Sequence, residues 1–289
     1  MHFVNAKSIL SAENGMNIYR GCTHGCIYCD SRSRCYQMNH DFEDIEVKQN
    51  APQLLEKALA AKRKKCMIGT GAMCDPYMHC ERQLGLMRQC LEIIQRYGFG
   101  LAVQTKSSYI LRDLDLLQSI NRKAKCVVQT TLTTFDEDLC RILEPNVSTT
   151  RERFQMLQVM ADAGIPTVVW LSPFLPWIND TEENLRGLLD CCVQAGVRGV
   201  ICFDIGVTMR QGNREYFYQK LDQHFPGLRQ RYHRRYGMDY VLTSDQSPRL
   251  MKLLRETCRQ HGILWETDAV FDYLRRFPEK DDGTQLSLF

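Results

Sequence analysis

The chain has 289 residues, a net charge of +3, 44% hydrophobic residues and 25% charged residues, values that are ordinary for a globular, soluble protein. It contains no apolar run of about 18 residues and no signal-peptide pattern, so we expect no membrane-spanning segment and a cytoplasmic location. Its fourteen cysteines are scattered, which favours reduced thiols and a metal site over a disulfide framework.

The first informative segment is a loop with three closely spaced cysteines, Cys22, Cys26 and Cys29. Three thiolates in a CxxxCxxC spacing can surround one metal centre and leave a further coordination position free. The spacing predicts a 4Fe–4S cluster with one iron open to a substrate or cofactor. A zinc knuckle is the alternative, but no fourth Cys or His follows at ordinary zinc spacing. His40 is too distant in the sequence, and the spacing of Cys35 makes it only an arguable fourth ligand.

After this loop, strand patterns and helix patterns alternate along the chain. Counting from a segment at 17–19, the predicted strands lie at residues 66–68, 101–104, 126–132, 167–171 and 197–203. Thr149 with Glu152 predicts a capping box, and Asp180 with Glu183 predicts the start of a later helix. About six parallel βα units follow from this order, too few for a closed eightfold barrel.

From about residue 213 the pattern becomes helical, and a polar tail follows. We therefore divide the chain into residues 1–212 (barrel), residues 213–277 (helical extension) and residues 278–289 (tail). The basic stretch 229–235 is either a solvated helix face or a nucleic-acid surface. Tyr232 and Tyr236 in and beside it either stack on extruded bases or pack in the core.

Ligands gather at the carboxyl ends of strands in parallel βα folds, and polar residues follow several predicted strands. The segment Gly69-Thr70-Gly71 either lets the backbone approach a ligand or makes a tight turn. Lys106 follows the next strand and either pairs with an anionic ligand or is an exposed loop lysine. Thr131 closes the strand at 126–132.

Short motifs occur in a fixed order through the first two thirds of the chain. They are the cysteine loop with Tyr28 before its third cysteine, Asp75-Pro76-Tyr77, Glu81, Thr105-Lys106-Ser107 with Arg112-Asp113-Leu114-Asp115, Glu144-Pro145, and residues 173–180. In these motifs the sequence resembles the radical S-adenosylmethionine (SAM) superfamily, and within it the branch that contains spore photoproduct lyase, over about residues 15–205. In length and motifs it also resembles radical SAM mobile pair proteins, which are encoded beside a second radical SAM protein.

The resemblance implies an α/β fold, a partial (β/α)6 TIM-type barrel with a C-terminal helical extension. It implies a 4Fe–4S cluster on the three cysteines, with SAM chelated to the open iron. It further implies SAM contacts for a set of residues, namely Tyr28 (adenine), Lys106 (carboxylate), Gly69, Thr70, Gly71, Asp75 and Thr131. A flavodoxin or ferredoxin-type donor would reduce the cluster, and the 5′-deoxyadenosyl radical cleaved from SAM would take a hydrogen atom from the substrate.

Spore photoproduct lyase acts on a methylene-bridged thymine dimer in DNA, so the resemblance implies a bacterial enzyme for DNA repair or base modification, with a lyase reaction. Radical chemistry on RNA, protein or a metabolite is an alternative, as is a non-catalytic iron–sulfur accessory protein. Cys74, with Tyr77 nearby, is the candidate catalytic hydrogen donor, or else a small packing residue. Alignment on Asp75 places the donor at Ala72 instead. Only 21 residues precede Cys22, whereas the spore enzyme has a long segment there, so the reaction class transfers better than the lesion.

The last five residues resemble the pentapeptide with which bacterial polymerases and repair proteins dock on the DNA sliding clamp. They are Gln285, Leu286, Ser287, Leu288 and Phe289. Three apolar side chains on a polar tail suit an apolar groove, and the glutamine amide would orient them. The alternative is a frayed terminus or a tail folded onto its own core.

Overall fold

A computed structural model describes residues 1–278 of the chain. Its strands are β1 (His2–Val4), β2 (Gly15–Met16), β3 (Tyr19–Arg20), β4 (Glu46–Lys48), β5 (Met67–Thr70), β6 (Gly100–Gln104), β7 (Cys126–Thr131), β8 (Thr167–Trp170), β9 (Gly199–Ile201), β10 (Gly206–Thr208) and β11 (Val241–Thr243). Its α-helices are α1 (Ala51–Ala61), α2 (Glu81–Leu84), α3 (Leu86–Tyr97), α4 (Leu114–Lys123), α5 (Glu137–Leu143), α6 (Thr150–Asp162), α7 (Glu182–Gln194), α8 (Asn213–His224), α9 (Leu228–Tyr236), α10 (Ser247–His261) and α11 (Thr267–Arg275).

Six strands form one parallel sheet in the order β2-β5-β6-β7-β8-β9, with helices in the connections from β5 onward. The predicted α/β fold with about six parallel units is therefore confirmed. The first strand is wrongly placed by the sequence pattern. Gly15–Met16 is the edge strand, whereas Tyr19–Arg20 pairs antiparallel with β4 in a separate three-stranded sheet that also contains β1.

Both faces of the sheet are covered, so all six residues of β7 are buried, including the polar Gln129, Thr130 and Thr131 at its carboxyl end. One face packs against the surrounding helices, for example Leu91 and Ile94 of α3. On the other face, Met67 and Ala102 pack in one group with Val270 and Leu274 of α11. Helix α11, the last described helix, therefore covers the face of the sheet that the surrounding helices leave free.

Two helix starts test the sequence prediction in detail. Thr149 and Glu152 form the predicted capping box of α6, which is confirmed. The prediction for α7 is wrong, because Thr181 caps that helix by accepting from the Asn184 amide. The Asp180 carboxylate instead accepts from the Trp177 amide and the Ser244 hydroxyl.

The C-terminal part contains four helices, and it also contains strand β11, which pairs antiparallel with β10. Tyr232 and Tyr236 are buried, and their hydroxyls donate to the carbonyls of Pro176 and Thr243. Both tyrosines are therefore core residues and are not available to stack on bases. The tail residues Gln285–Phe289 lie outside the described residues. Within residues 1–278, no helix combines the length and the apolarity that crossing a membrane requires.

Candidate active site

The three cysteines lie on one loop, residues 21–29, which we call the cluster loop. The Cys22 amide donates to the Phe42 carbonyl at 2.9 Å and the Ile27 amide to the Leu143 carbonyl at 3.0 Å. Gly21, with φ of +87°, opens the loop, and a Cβ there would lie 2.6 Å from the Phe42 carbonyl oxygen. Two distant segments thus fix the loop, and its three cysteines line one cavity of about 110 Å³, the cluster cavity.

The spacing of the sulfur atoms favours a cluster over a single metal ion. Zinc binds thiolates at about 2.3 Å, so three of them on one ion stand about 3.8 Å apart. Within residues 1–278, one trio of metal-ligating side chains has its ligand atoms mutually within 4.8 Å, and it contains no cysteine. At least one pair of the three cysteine sulfurs therefore lies more than 4.8 Å apart, a wider spacing that suits a cubane engaging three different irons.

Lys106 extends into the cluster cavity from the loop after β6. Its Nζ lies 3.8 Å from Cys26 Sγ, 3.5 Å from a Glu144 carboxylate oxygen and 5.1 Å from the centre of the Tyr28 ring. Burial disfavours its charge, but Cys26, Tyr28 and Glu144 together raise the pKa of the Lys106 ammonium. Burial raises the pKa of the Cys26 thiol to about 12 although Lys106 opposes this, so the lysine favours the thiolate that iron needs.

Glu144 anchors the side chains behind the cluster loop and has no exposed surface. Its carboxylate accepts from the Arg153 guanidinium, which is equally buried, and from the Tyr28 hydroxyl. Burial alone would raise the pKa of Glu144, but Arg153 and Lys106 hold it below its usual range. A buried carboxylate thus remains charged and fixes the Tyr28 ring beside Lys106.

Asp75 holds the Lys106 loop in place. One carboxylate oxygen accepts from the Tyr77 amide at 2.8 Å and from the Thr105 hydroxyl at 2.7 Å, and the other accepts from the Lys106 amide at 2.7 Å. His24 Nδ1 of the cluster loop lies 3.6 Å from the second oxygen. Asp75, predicted to bind the cofactor, also lines the cluster cavity, but its oxygens are occupied by the protein, so it acts as a positioning residue.

A second cavity of about 610 Å³, the large cavity, adjoins the cluster cavity. The two share Cys29, Ser31, Ala72, Met73 and Lys106 in their linings. Tyr28 and the aromatic side chains Tyr36, Trp170, Phe203 and Tyr240 also line the large cavity. Phe203 is 60% exposed and Tyr240 is 48% exposed, so planar apolar surface faces solvent where the cavity opens.

The predicted cofactor residues divide between cavities. Gly71 and Thr131 line the cluster cavity with the cysteines and Lys106. Gly71 has φ of +97°, and a Cβ there would lie 1.9 Å from the Gln104 carbonyl oxygen, so a tight approach to β6 requires glycine. Gly69 and Thr70 instead line a third cavity of about 350 Å³ beside α11.

The two predicted catalytic residues, Cys74 and Tyr77, lie in different surroundings. Cys74 lines the cluster cavity, and its thiol donates to the Gly21 carbonyl at 2.8 Å. Burial raises the pKa of this thiol, which keeps its hydrogen in place. Tyr77 is 2% exposed and donates to Asp113 at 3.1 Å, away from the cavities described above. Ala72, the alternative donor position, lines both the cluster cavity and the large cavity.

Sequence reasoning missed two parts of the site. Glu144 belongs to the Glu144-Pro145 motif, but no local pattern indicates its pairing with Arg153, a residue within α6. Trp170 and Phe203 were read only as strand residues. Their position at or just after the ends of β8 and β9 is the signal that places them beside the ligand cavity.

The sequence model of the Radical SAM superfamily matches residues 16–190. The chain belongs to the radical SAM superfamily. It is 29% identical to an uncharacterized protein of Mycobacterium bovis over 83% of this chain and 71% of that one. It is also 29% identical to an uncharacterized protein of Methanocaldococcus jannaschii, over 62% of this chain and 67% of that one.

Solved structures of spore photoproduct lyase share the fold. Spore photoproduct lyase complexed with dinucleoside spore photoproduct superposes with a TM-score of 0.64 at 15% identity, covering 91% of this chain and 80% of that chain. A double mutant of that enzyme with bound AdoMet and dinucleoside spore photoproduct gives a TM-score of 0.62 at 15% identity, covering 87% of this chain and 75% of that chain. The partial barrel of the radical SAM type is thereby confirmed. The protein is a radical SAM enzyme whose cofactors are a 4Fe–4S cluster and SAM.

Proposed function

We propose that this radical SAM enzyme acts on DNA, either as a lyase that repairs a photolesion or as an enzyme that modifies a base. One observation carries the proposal. The large cavity, which can hold a nucleobase-sized group, shares a wall with the cluster cavity and opens between exposed aromatic side chains. A substrate in it would lie directly beside the residues that hold the cofactors.

The described residues fit the two cofactors. Cys22, Cys26 and Cys29 would hold the cluster, and Lys106 would place a cation beside the carboxylate of SAM. Tyr28, held by Glu144, would place its ring against the adenine. When bound and reduced, the cluster with SAM supplies a carbon-centred radical that removes a hydrogen atom from an unactivated carbon. The protein's share is to orient the reactants and to exclude water.

Planar side chains favour a nucleobase as the substrate group. Phe203 lies 6.1 Å from Trp170 between ring centres, and both rings face the large cavity. Bases stack on exposed aromatic rings whatever their sequence, and enzymes that react with a base first extrude it from the duplex. The fold shared with a lyase complexed with a dinucleoside photoproduct supports the same substrate class.

Cys74 is our proposed hydrogen-atom donor to the substrate radical. It is protonated, it lines the cluster cavity, and a thiol S–H bond is weak. Thiol-free Ala72 occupies the alternative position, which leaves Cys74 as the donor on this segment.

The remaining partners are proposals from the sequence. Residues 285–289 would dock on the bacterial sliding clamp and raise the effective concentration of the enzyme on DNA. The other proposed partners are a second radical SAM protein and a flavodoxin or ferredoxin-type electron donor. A pull-down of purified clamp by the full chain, lost when Gln285–Phe289 are deleted, tests the docking segment. Equal capture by both chains would contradict it.

Mass spectrometry of DNA tests the function. Ultraviolet-damaged and undamaged DNA are incubated anaerobically with reconstituted enzyme, dithionite and SAM, and the nucleosides are then compared. We expect a SAM-dependent change in one of the two DNA samples, which the Cys26→Ala variant does not produce. Formation of 5′-deoxyadenosine with no change in either DNA would contradict the DNA substrate and favour RNA, protein or a metabolite.

A further inference from the structure

A second cluster of ligand-type side chains lies outside the active site, on the small sheet of β1, β3 and β4. A ring nitrogen of His2, a ring nitrogen of His40 and a carboxylate oxygen of Glu46 all lie within 4.8 Å of one another. His2 and Glu46 are paired neighbours on the parallel strands β1 and β4. The His40 ring meets the His2 ring edge-on, with 5.0 Å between the ring centres.

The hydrogen bonds of His40 leave one nitrogen free for a metal. His40 Nδ1 lies 3.0 Å from the Asp41 carbonyl oxygen, which only accepts, so Nδ1 carries the ring proton. His40 Nε2 therefore presents a lone pair. This atom is buried, and within residues 1–278 it has no hydrogen-bond partner. It points toward Glu46, whose nearest oxygen lies 4.0 Å away.

His2 is oriented in the same manner by a carboxylate. Its Nδ1 lies 2.8 Å from Asp44 Oδ2, which leaves Nε2 as the free ring nitrogen. In metal sites, ligating histidines typically donate their other ring N–H to a carboxylate or a backbone carbonyl, which fixes the tautomer and the ring. Both histidines here have that second contact, one to Asp44 and one to Asp41.

We propose that His2, His40 and Glu46 bind one divalent transition-metal ion, with zinc as the reference ion. Two imidazole nitrogens and one carboxylate oxygen suit zinc, whose bonds to them are about 2.0 to 2.2 Å. Tetrahedral geometry then needs ligand atoms about 3.4 Å apart, so small side-chain rotations close the site. His2 is 39% exposed, so solvent can fill the remaining coordination position.

The position of the ion gives it a structural role. His40 and Glu46 bracket the segment that contains Phe42, whose carbonyl accepts from the amide of Cys22 on the cluster loop. An ion that ties this segment to β1 and β4 would restrict the movement of Phe42, whose carbonyl holds the first cluster cysteine in place. The proposal concerns binding and stability and does not depend on the DNA substrate.

Metal counting on cluster-loaded protein tests the site. Reconstituted protein is incubated with zinc chloride, desalted, and analysed for zinc and iron by inductively coupled plasma mass spectrometry. We expect about one zinc per chain alongside about four irons, and loss of that zinc in His40→Gln and Glu46→Gln with iron unchanged. His224→Gln, an exposed histidine on α8, is the matched control and should keep its zinc. Equal zinc in wild type and His40→Gln would overturn the proposal.

Thermal unfolding provides a second measurement. At zinc about one hundred times above its Kd, we expect the Tm of wild type to rise by roughly 5 °C, whereas calcium gives no rise. If His40→Gln does not fold, His2→Gln serves instead, because His2 is partly exposed and lies at the edge of the small sheet. A zinc-induced rise that persists in His2→Gln, or no rise in wild type, would overturn the site.

Discussion

Replacing Glu144 with glutamine should destabilise the whole protein and disturb its active site at the same time. Glutamine keeps the size of the side chain and removes its charge. The Arg153 guanidinium, which has no exposed surface, would then have no counter-charge at this position. Lys106, 3.5 Å from the carboxylate, would lose the same partner.

The magnitude follows from burial. Removing one partner of a buried ion pair costs about 3 to 5 kcal/mol, because the other charge stays in a medium of low polarity. The Arg153 guanidinium still donates to the Thr131 carbonyl, and the amide oxygen of glutamine can still accept from it, so we expect the lower end, about 3 kcal/mol. For a chain of this size that lowers the Tm by roughly 6 °C.

Circular dichroism during heating of cluster-loaded protein measures the effect. Glu56→Gln is the matched control, because Glu56 pairs with Arg96 on the surface, where the two side chains are 43% and 62% exposed. An exposed pair contributes at most about 1 kcal/mol, so the control should change the Tm by about 2 °C or less. The double variant Glu144→Gln/Arg153→Met should regain much of the lost stability, since the fully buried guanidinium charge is removed together with its partner.

Two results would refute this reasoning. One is a Tm for Glu144→Gln that matches that of Glu56→Gln, which would mean that the Arg153 charge is well solvated without its partner. The other is a double variant whose loss equals the sum of the losses measured for Glu144→Gln and for the single variant Arg153→Met, which would mean that the two side chains do not interact.

Three further predictions address the cluster loop, its support and the large cavity. Cys26→Ala should abolish the visible absorption of the cluster and leave the far-ultraviolet circular dichroism unchanged. Cys35 is an exposed cysteine, and the control variant Cys35→Ala should keep both signals. Retained absorption in Cys26→Ala would contradict the ligand assignment. Asp75→Asn should lower the free energy of unfolding by about 1 to 3 kcal/mol, because an amide group cannot accept from all the donors that Asp75 now serves; an unchanged urea midpoint would contradict this. Phe203→Ala should leave the Tm unchanged and weaken the binding of single-stranded DNA roughly 5-fold to 150-fold. Phe3, which is 51% exposed on the small sheet, provides the control, and Phe3→Ala should leave DNA binding unchanged. Equal binding by both variants would contradict base stacking.

Local patterns were sufficient to predict most strands of the sheet and the start of α6. Strands buried on both faces stand out as apolar runs between helical repeats, and β6, β7 and β8 lie within one residue of their predicted bounds. The capping box at Thr149 is likewise a short-range signal. Asp180 misled the prediction because the adjacent Thr181 is an equally good cap, and only the contact with Ser244 shows which of them is engaged.

Long-range contacts explain why other features were not predictable. Tyr28 and Glu144 are separated by 116 positions, so no local pattern indicates that one holds the other. The His2, His40 and Glu46 trio depends on the pairing of β1 with β4, two strands of three residues each. Gly69 and Gly71 look alike in the sequence, yet Gly69 lies within β5 and Gly71 lies in the bend that follows it, and the two residues line different cavities.

Cleavage of SAM by the reduced protein tests the central claim most directly. Anaerobically reconstituted enzyme is mixed with dithionite and SAM, and 5′-deoxyadenosine is measured by liquid chromatography and mass spectrometry. We predict that wild type forms 5′-deoxyadenosine and methionine and that Cys22→Ala, Cys26→Ala and Cys29→Ala form neither. Wild-type protein that carries a complete reduced cluster and forms no 5′-deoxyadenosine, with or without DNA, would contradict the account.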